Sequence, residues 1–264
     1  CTDAAAGSYS NGTISVNGAM VPATTETACA VGTFQAATGQ SSCDDADAGY
    51  YVTATGQISQ ELCGAGTWQN DTGQTSCKDA DSGYYSLGTT TLNGVVTNLA
   101  NQQVPCAAGT YSLYSPTTPS LLREYCLIAD AGYYSEGTVT DATTGVTAVA
   151  TIQNPCGEGT YQGQTGQSSC DDAAAGYYSE GTVTDATTGV TTAAISQTPC
   201  AAGTYQTQTG QTSCENAEAG YYSLGTNTQN GVVTNLANQQ VPCAVGTYQA
   251  STGQASCVAA TAGY

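Results

Sequence analysis

Apolar and polar positions alternate along this chain only over short runs. No segment keeps a 3.6-residue apolar period for long, so almost no helix is expected. β-Branched residues instead flank Asn-Gly, as in Thr89-Thr90-Thr91-Leu92-Asn93-Gly94-Val95-Val96-Thr97. Asn-Gly between such residues predicts a two-residue hairpin turn. Asn230-Gly231 repeats it, and Thr143-Thr144-Gly145 and Thr187-Thr188-Gly189 occupy the same place. Pro105, Pro155, Pro199 and Pro242 each precede a cysteine. Their fixed φ holds the incoming strand extended. The pattern predicts an all-β chain of short hairpins.

One stretch organises the hairpins: Cys200-Ala-Ala-Gly203-Thr204-Tyr205-Gln206, then Thr209-Gly210-Gln211, then Ser213-Cys214. It recurs six times, opening at Cys29, Cys63, Cys106, Cys156, Cys200 and Cys243 and closing at Cys43, Cys77, Cys126, Cys170, Cys214 and Cys257. A fixed period of this kind decides the architecture: an elongated tandem array of small units. The boundaries are a partial repeat over 1–28, then repeats over 29–62, 63–105, 106–155, 156–199 and 200–242, and a partial repeat over 243–264. The repeat at 29–62 has a short hairpin. Cys1 reads as the closing cysteine of a further copy, and the chain ends inside a motif, so a piece of a longer protein is expected.

Each closing cysteine is followed by a second motif, as in Asp44-Asp45-Ala46-Asp47-Ala48-Gly49-Tyr50-Tyr51. Its spacing matches Cys63-x-x-Gly66-Thr67-Trp68, with alanine where cysteine should be. Each repeat therefore holds two related half-modules, of which the second lacks a disulfide. Ala131 to Thr147 is repeated without change at Ala175 to Thr191. Such duplication leaves no unique site of the kind an enzyme needs. The third copy departs most: a loop over 112–125 with Pro116, Pro119 and Arg123 replaces the Thr-Gly-Gln turn. It is read as a surface insertion, or more sharply as a lateral contact through Leu121, Leu122 and Tyr125.

Composition narrows the function. Thirteen cysteines at regular spacing indicate an oxidising compartment, and without His or Cys-x-x-Cys a zinc array is disfavoured. Lys78 and Arg123 are the only basic side chains against twenty Asp and Glu, a net charge of -18. That argues against nucleic acid and anionic membranes, which need cations to neutralise phosphate. No apolar run spans a bilayer. Without His and with two cations, no nucleophile–base pair can be assembled, and the chain is not expected to be an enzyme. No cofactor is expected; Asp44, Asp45 and Asp47 are the one calcium candidate, but they match no EF-hand loop. Asn11-Gly12-Thr13 and Asn70-Asp71-Thr72 are N-glycosylation acceptors in a secreted chain. O-linked sugar is expected on Thr89, Thr90, Thr91, Thr138, Thr140, Thr143, Thr144, Thr182, Thr184, Thr187 and Thr188. The Tyr-Tyr pairs should divide between two faces, with Tyr50, Tyr84, Tyr133, Tyr177 and Tyr221 outward, offered to sugar or to a neighbouring chain.

The pattern Cys-x-x-Gly-Thr-Tyr, Thr-Gly-Gln, Ser-Cys resembles ephrin-receptor-like cysteine-rich repeats and the first module of tumour-necrosis-factor-receptor cysteine-rich domains. Cys29, Gly32, Phe34, Gly39, Cys43 and their counterparts carry the likeness. The Ala/Thr/Gly-rich texture is similar to surface antigens and filaments of protists and algae. The resemblance implies stacked hairpins in a disulfide-laddered rod outside the cell. It also implies that each opening cysteine pairs with its own closing cysteine, leaving Cys1 over. A ladder from Cys1 to Cys29 and Cys43 to Cys63 onward is the alternative, and loop entropy separates the two by well under ~1 kcal/mol. The sequence departs from the family at Ala46, Ala80, Ala129, Ala173, Ala217 and Ala260, where a further cysteine is usual. Two functions follow: a structural segment of an extracellular filament, coat or appendage that associates with its own kind and carries glycans, or the stalk of a surface receptor or adhesin.

Overall fold

The computed structural model describes residues 2–17, 19–22, 24–113 and 123–261. Among them every sheet is a two-stranded antiparallel ladder, and there is no α-helix. The chain forms two compact units interleaved in sequence. One comprises Cys1–Cys106, Tyr111–Leu127 and Thr138–Thr151; the other comprises Ala107–Thr110, Ile128–Gly137 and Ile152–Tyr264.

Both units are built from one module. In the first, Cys29 leads through a turn at Gly32 into Thr33–Phe34, which pairs with Asp44–Asp45 directly before the next opening residue, Ala46. The Ala46 module has the same plan: Tyr50–Tyr51 pairs with Glu61–Leu62, directly before Cys63. The second unit repeats it, with Thr160–Tyr161 on Asp171–Asp172 and Tyr177–Tyr178 on Thr198–Pro199. Cysteine and alanine half-modules are thus one structural unit with alternative openings.

The opening residue is the core. Cys29, Ala46, Cys63 and Ala80 in the first unit, and Ala129, Cys156, Ala173, Cys200 and Ala217 in the second, are all at most 1 % exposed. One small side chain per module fills this space, so the chain needs few large aliphatic residues. Backbone bonds link consecutive modules around it. The Ala46 N–H donates to the Gly32 carbonyl at 2.8 Å, and the Gly32 N–H donates forward to the Val52 carbonyl at 2.8 Å. In the other unit Ala173 donates to Gly159, and Gly176 to Gln206, at 2.8 and 2.7 Å. The buried backbone groups are thereby satisfied by the neighbouring module. Gly32 and Gly203 show why glycine is required here: φ is +83° and +88°, and a Cβ would lie 2.2 Å from the carbonyl oxygen of Gly73 or Gly253, two modules on.

Closure of the module explains the missing cysteines. Six disulfides join Cys29–Cys43, Cys63–Cys77, Cys106–Cys126, Cys156–Cys170, Cys200–Cys214 and Cys243–Cys257, each with a Cα separation of 5.7 Å. In an alanine module the residue matching the closing cysteine is Gln60, Gln103, Gln153, Gln197 or Gln240, with Glu26 in the first. Its side-chain oxygen accepts from the N–H just after the opening alanine, at 2.6–2.7 Å, as Gln60 does from Asp47. Gln60, Gln103 and Gln153 also donate to the carboxylates of Asp47, Asp81 and Asp130 at 2.7–2.9 Å. A polar latch stands where the other modules have a covalent one.

Five alanine modules carry an inserted hairpin between their paired strands, the first of them Thr13–Val16 with Ala19–Pro22. Thr90–Leu92 pairs with Val95–Asn98 across Asn93 and Gly94, both at positive φ (52° and 77°), the geometry of the primed turn expected there. Asn227–Gln229 with Val232–Asn235 repeats it, while Val139–Thr140 with Thr147–Ala148 and Val183–Thr184 with Thr191–Thr192 are shorter. The Ala46 module has no such insert. Val52 is buried there where the four later hairpin-bearing modules bury Ser86, Ser135, Ser179 or Ser223.

Candidate interaction surface

Four of the inserted hairpins are each anchored by one threonine hydroxyl. Thr89 Oγ1 donates to the Gly49 carbonyl at 2.8 Å and accepts from the Ala100 N–H at 3.0 Å. Thr138 does the same between Gly83 and Ala150, and Thr182 between Gly132 and Ala194. Thr226 joins Gly176 to Ala237. Thr89, Thr138 and Thr182 are among the threonines expected to carry O-linked sugar. Thr89 is buried and the other two are half-buried, with both hydroxyl functions engaged inside the fold. Those three are structural tethers and are removed from the acceptor set.

Beyond the tether the hairpins are open to solvent. Thr90, Thr91, Thr140, Thr143, Thr144, Thr184, Thr187 and Thr188 are all exposed. Thr140 and Thr147 face each other across the ladder with hydroxyls 2.8 Å apart; Thr184 and Thr191 match them, and Thr90 and Thr97 stand at 3.0 Å. Aliphatic residues share these ribbons: Leu92, Val95, Val146, Val190 and Val232 are 62–66 % exposed. At the tips of two hairpins Asp141 and Asp185 each accept two backbone N–H bonds at 2.8 Å, from Thr143 and Thr144 and from Thr187 and Thr188. These bonds to the ionised form hold both carboxyls below the ordinary aspartate value.

The tyrosine pairs do not divide as the strand alternation implies. Tyr50, Tyr84, Tyr133 and Tyr177 are half-buried, and so are Tyr51, Tyr85, Tyr134 and Tyr178; only in the last pair is the first ring, Tyr221, exposed, at 36 %. Two-residue ladders with one small core residue per module have no deep inner face for a ring, so both lie along the surface. The hydroxyl of Tyr51 bonds the cross-strand carboxylate of Glu61, which holds its pKa above the ordinary value.

Among the described residues no three acidic or sulfur ligands gather to hold a metal ion. Asp44 and Asp45 lie exposed on their strand, and Asp47 is engaged by Gln60. Asn11 and Asn70 are exposed. Asn70 Oδ1 accepts from Lys78 at 2.7 Å, while Lys78 lies 3.1 Å from Asp71 and 5.2 Å from the Trp68 ring centroid. In the third copy Arg123 pairs with Asp79, and Tyr125 is 51 % exposed. Leu121, Leu122 and Cys1 lie outside the described residues.

The glutamine latches and threonine tethers are not among the features expected from the sequence. Their signal was present: Gln, or Glu in the first case, stands three residues before every opening cysteine, and Ser-x-Gly-Thr precedes each inserted hairpin. No protein-family model matches the chain, and none of the curated proteins is similar to it. No helix among the described residues is long and apolar enough to cross a membrane.

Proposed function

We propose that this chain is a repeat segment of an extracellular structural protein, a filament, coat or appendage, with O-linked sugar on its hairpins and no catalytic role. The observation that carries the reading is the bonding between modules: within each unit every opening N–H is satisfied by the glycine of the module before it. Such a scheme extends to any number of repeats and offers no singular site. Thr90, Thr91, Thr140, Thr143, Thr144, Thr184, Thr187 and Thr188 are the O-linked acceptors, with N-linked sugar at Asn11 and Asn70. Sugar there would cover the open edges of two-stranded ribbons, which the chain has too few charged side chains to protect. Six disulfides and two basic residues support an oxidising, protease-exposed setting.

Electron microscopy of native material together with intact mass tests this. Continuous fibres or sheets, and a reduced mass above 26.5 kDa for this segment, are expected. Isolated membrane-anchored rods would favour the receptor or adhesin stalk instead, and an unmodified mass would remove the glycan from the reading.

A further inference from the structure

In the second compact unit a groove of about 450 Å3 runs between the Tyr134 strand and the loop closed by Cys156–Cys170. Tyr134, Glu136, Pro155, Thr160, Ser168 and Ser169 line it. Gly157 leaves its floor open, since a Cβ there would meet nothing within 4 Å. The Glu136 carboxylate and the hydroxyls of Tyr134, Ser168 and Ser169 make no hydrogen bond within the protein; Thr160 alone is committed, donating to the Gly157 carbonyl at 2.8 Å.

We propose that this groove binds one ring of an extended neutral saccharide. The Tyr134 ring offers an apolar face to the C–H face of a pyranose, and the carboxylate accepts from adjacent sugar hydroxyls. Three of the four uncommitted groups are hydroxyls, which both donate and accept. A sugar uses both functions, whereas an ammonium ion only donates. The lining side chains recur in the following repeat, with Ala201 in the place of Gly157. Tyr178, Glu180, Pro199, Thr204, Thr212 and Ser213 hold the corresponding places in the following repeat, and the Tyr178 ladder has the same register. In the Tyr85 and Tyr222 modules Leu87 and Leu224 replace the glutamate. Two carboxylate-bearing subsites in one unit would let a single polysaccharide engage both and gain avidity. Because the groove involves none of the proposed glycan acceptors, this binding stands or falls apart from the structural role.

Nitrogen-15 NMR titration of the full chain with cello-, manno-, xylo- and chitohexaose, and separately with hexalysine, tests it. At least one hexasaccharide is expected to give saturable shifts at Tyr134, Gly157, Ser168 and Tyr178. The pair Tyr134→Ala and Tyr178→Ala should abolish them, with six disulfides and spectral dispersion retained. Glu136→Gln with Glu180→Gln should weaken binding about tenfold, the effect of losing a charge-assisted hydrogen bond. Silence with all four saccharides, shifts confined to other modules, or binding of hexalysine in their place would overturn the proposal.

Discussion

Single hydroxyls and single glycines hold successive modules together. Thr226 is buried and its hydroxyl both donates to Gly176 and accepts from Ala237. Thr226→Val should cost about 1–3 kcal/mol, because the buried Ala237 N–H loses its partner and the Gly176 carbonyl keeps only the Cys200 N–H. Thr226→Ser, which keeps the oxygen, should recover most of it; urea unfolding of the two variants gives the comparison, and equal loss in both would deny the hydroxyl its role. At the exposed hairpin tips the sign of a pH effect follows from Asp141. Its carboxyl is held below the ordinary value by the Thr143 and Thr144 N–H bonds, so its contribution is present above the unfolded pKa and is lost as pH falls through the folded one. The amide shifts of Thr143 and Thr144 should therefore titrate with a midpoint below that of an unstructured aspartate, about 3.9. A midpoint at or above that figure would contradict the tip geometry.

For hairpins and modules, much was legible in the residues. Asn93-Gly94 announced its turn because few dipeptides accept two successive positive φ values. The half-module likeness was legible because the glycine spacing is set by backbone geometry that both kinds of module share. The latch was not, because Gln60 in a polar loop looks like any solvated side chain until the fold brings it, just before the Glu61–Leu62 strand, onto Asp47. The threonine tethers were hidden for a related reason: Thr89 and Thr90 are neighbours of one type, and only the fold separates the buried hydroxyl from the exposed one. The groove beside Tyr134 draws on residues from two modules, and their proximity comes from stacking that no local pattern encodes. The latch itself makes a prediction. Ala46 and Gln60 occupy the places of Cys29 and Cys43, with equivalent strand register and the same separation of fourteen residues. Ala46→Cys with Gln60→Cys should close a seventh disulfide, seen as a loss of about two mass units, and for a loop of about fifteen residues should stabilise by about 3 kcal/mol. Gln60→Ala alone should destabilise by about 1 kcal/mol. Two more free thiols in the double variant than in the parent chain, under oxidising conditions, would show that the two kinds of module differ in plan.

At the scale of the molecule, stability should behave as a sum over modules and their junctions rather than as a property of one core. Deletion of a whole repeat within the second unit tests this directly. Removing residues 156–199 joins Pro155 to Cys200 and brings modules together that never met in sequence. Every bond that Gly132 makes has a ready substitute. The N–H of Cys156 is replaced by that of Cys200, the Gln162 carbonyl by that of Gln206, and the Thr182 hydroxyl by that of Thr226. The side chains are compatible too, because Gly176 already packs against Leu236 and Thr226, the residues that Gly132 would now face. The shortened chain should fold with the remaining five disulfides in their native pairs, the Cys156–Cys170 bridge having left with the deleted segment. Its urea midpoint should stay close to that of the parent, with the unfolding slope reduced in proportion to the surface removed. Scrambled disulfides or loss of the ordered state would show that the repeats are individually fitted to their neighbours. That result would remove the interchangeability on which an indefinitely extensible fibre depends.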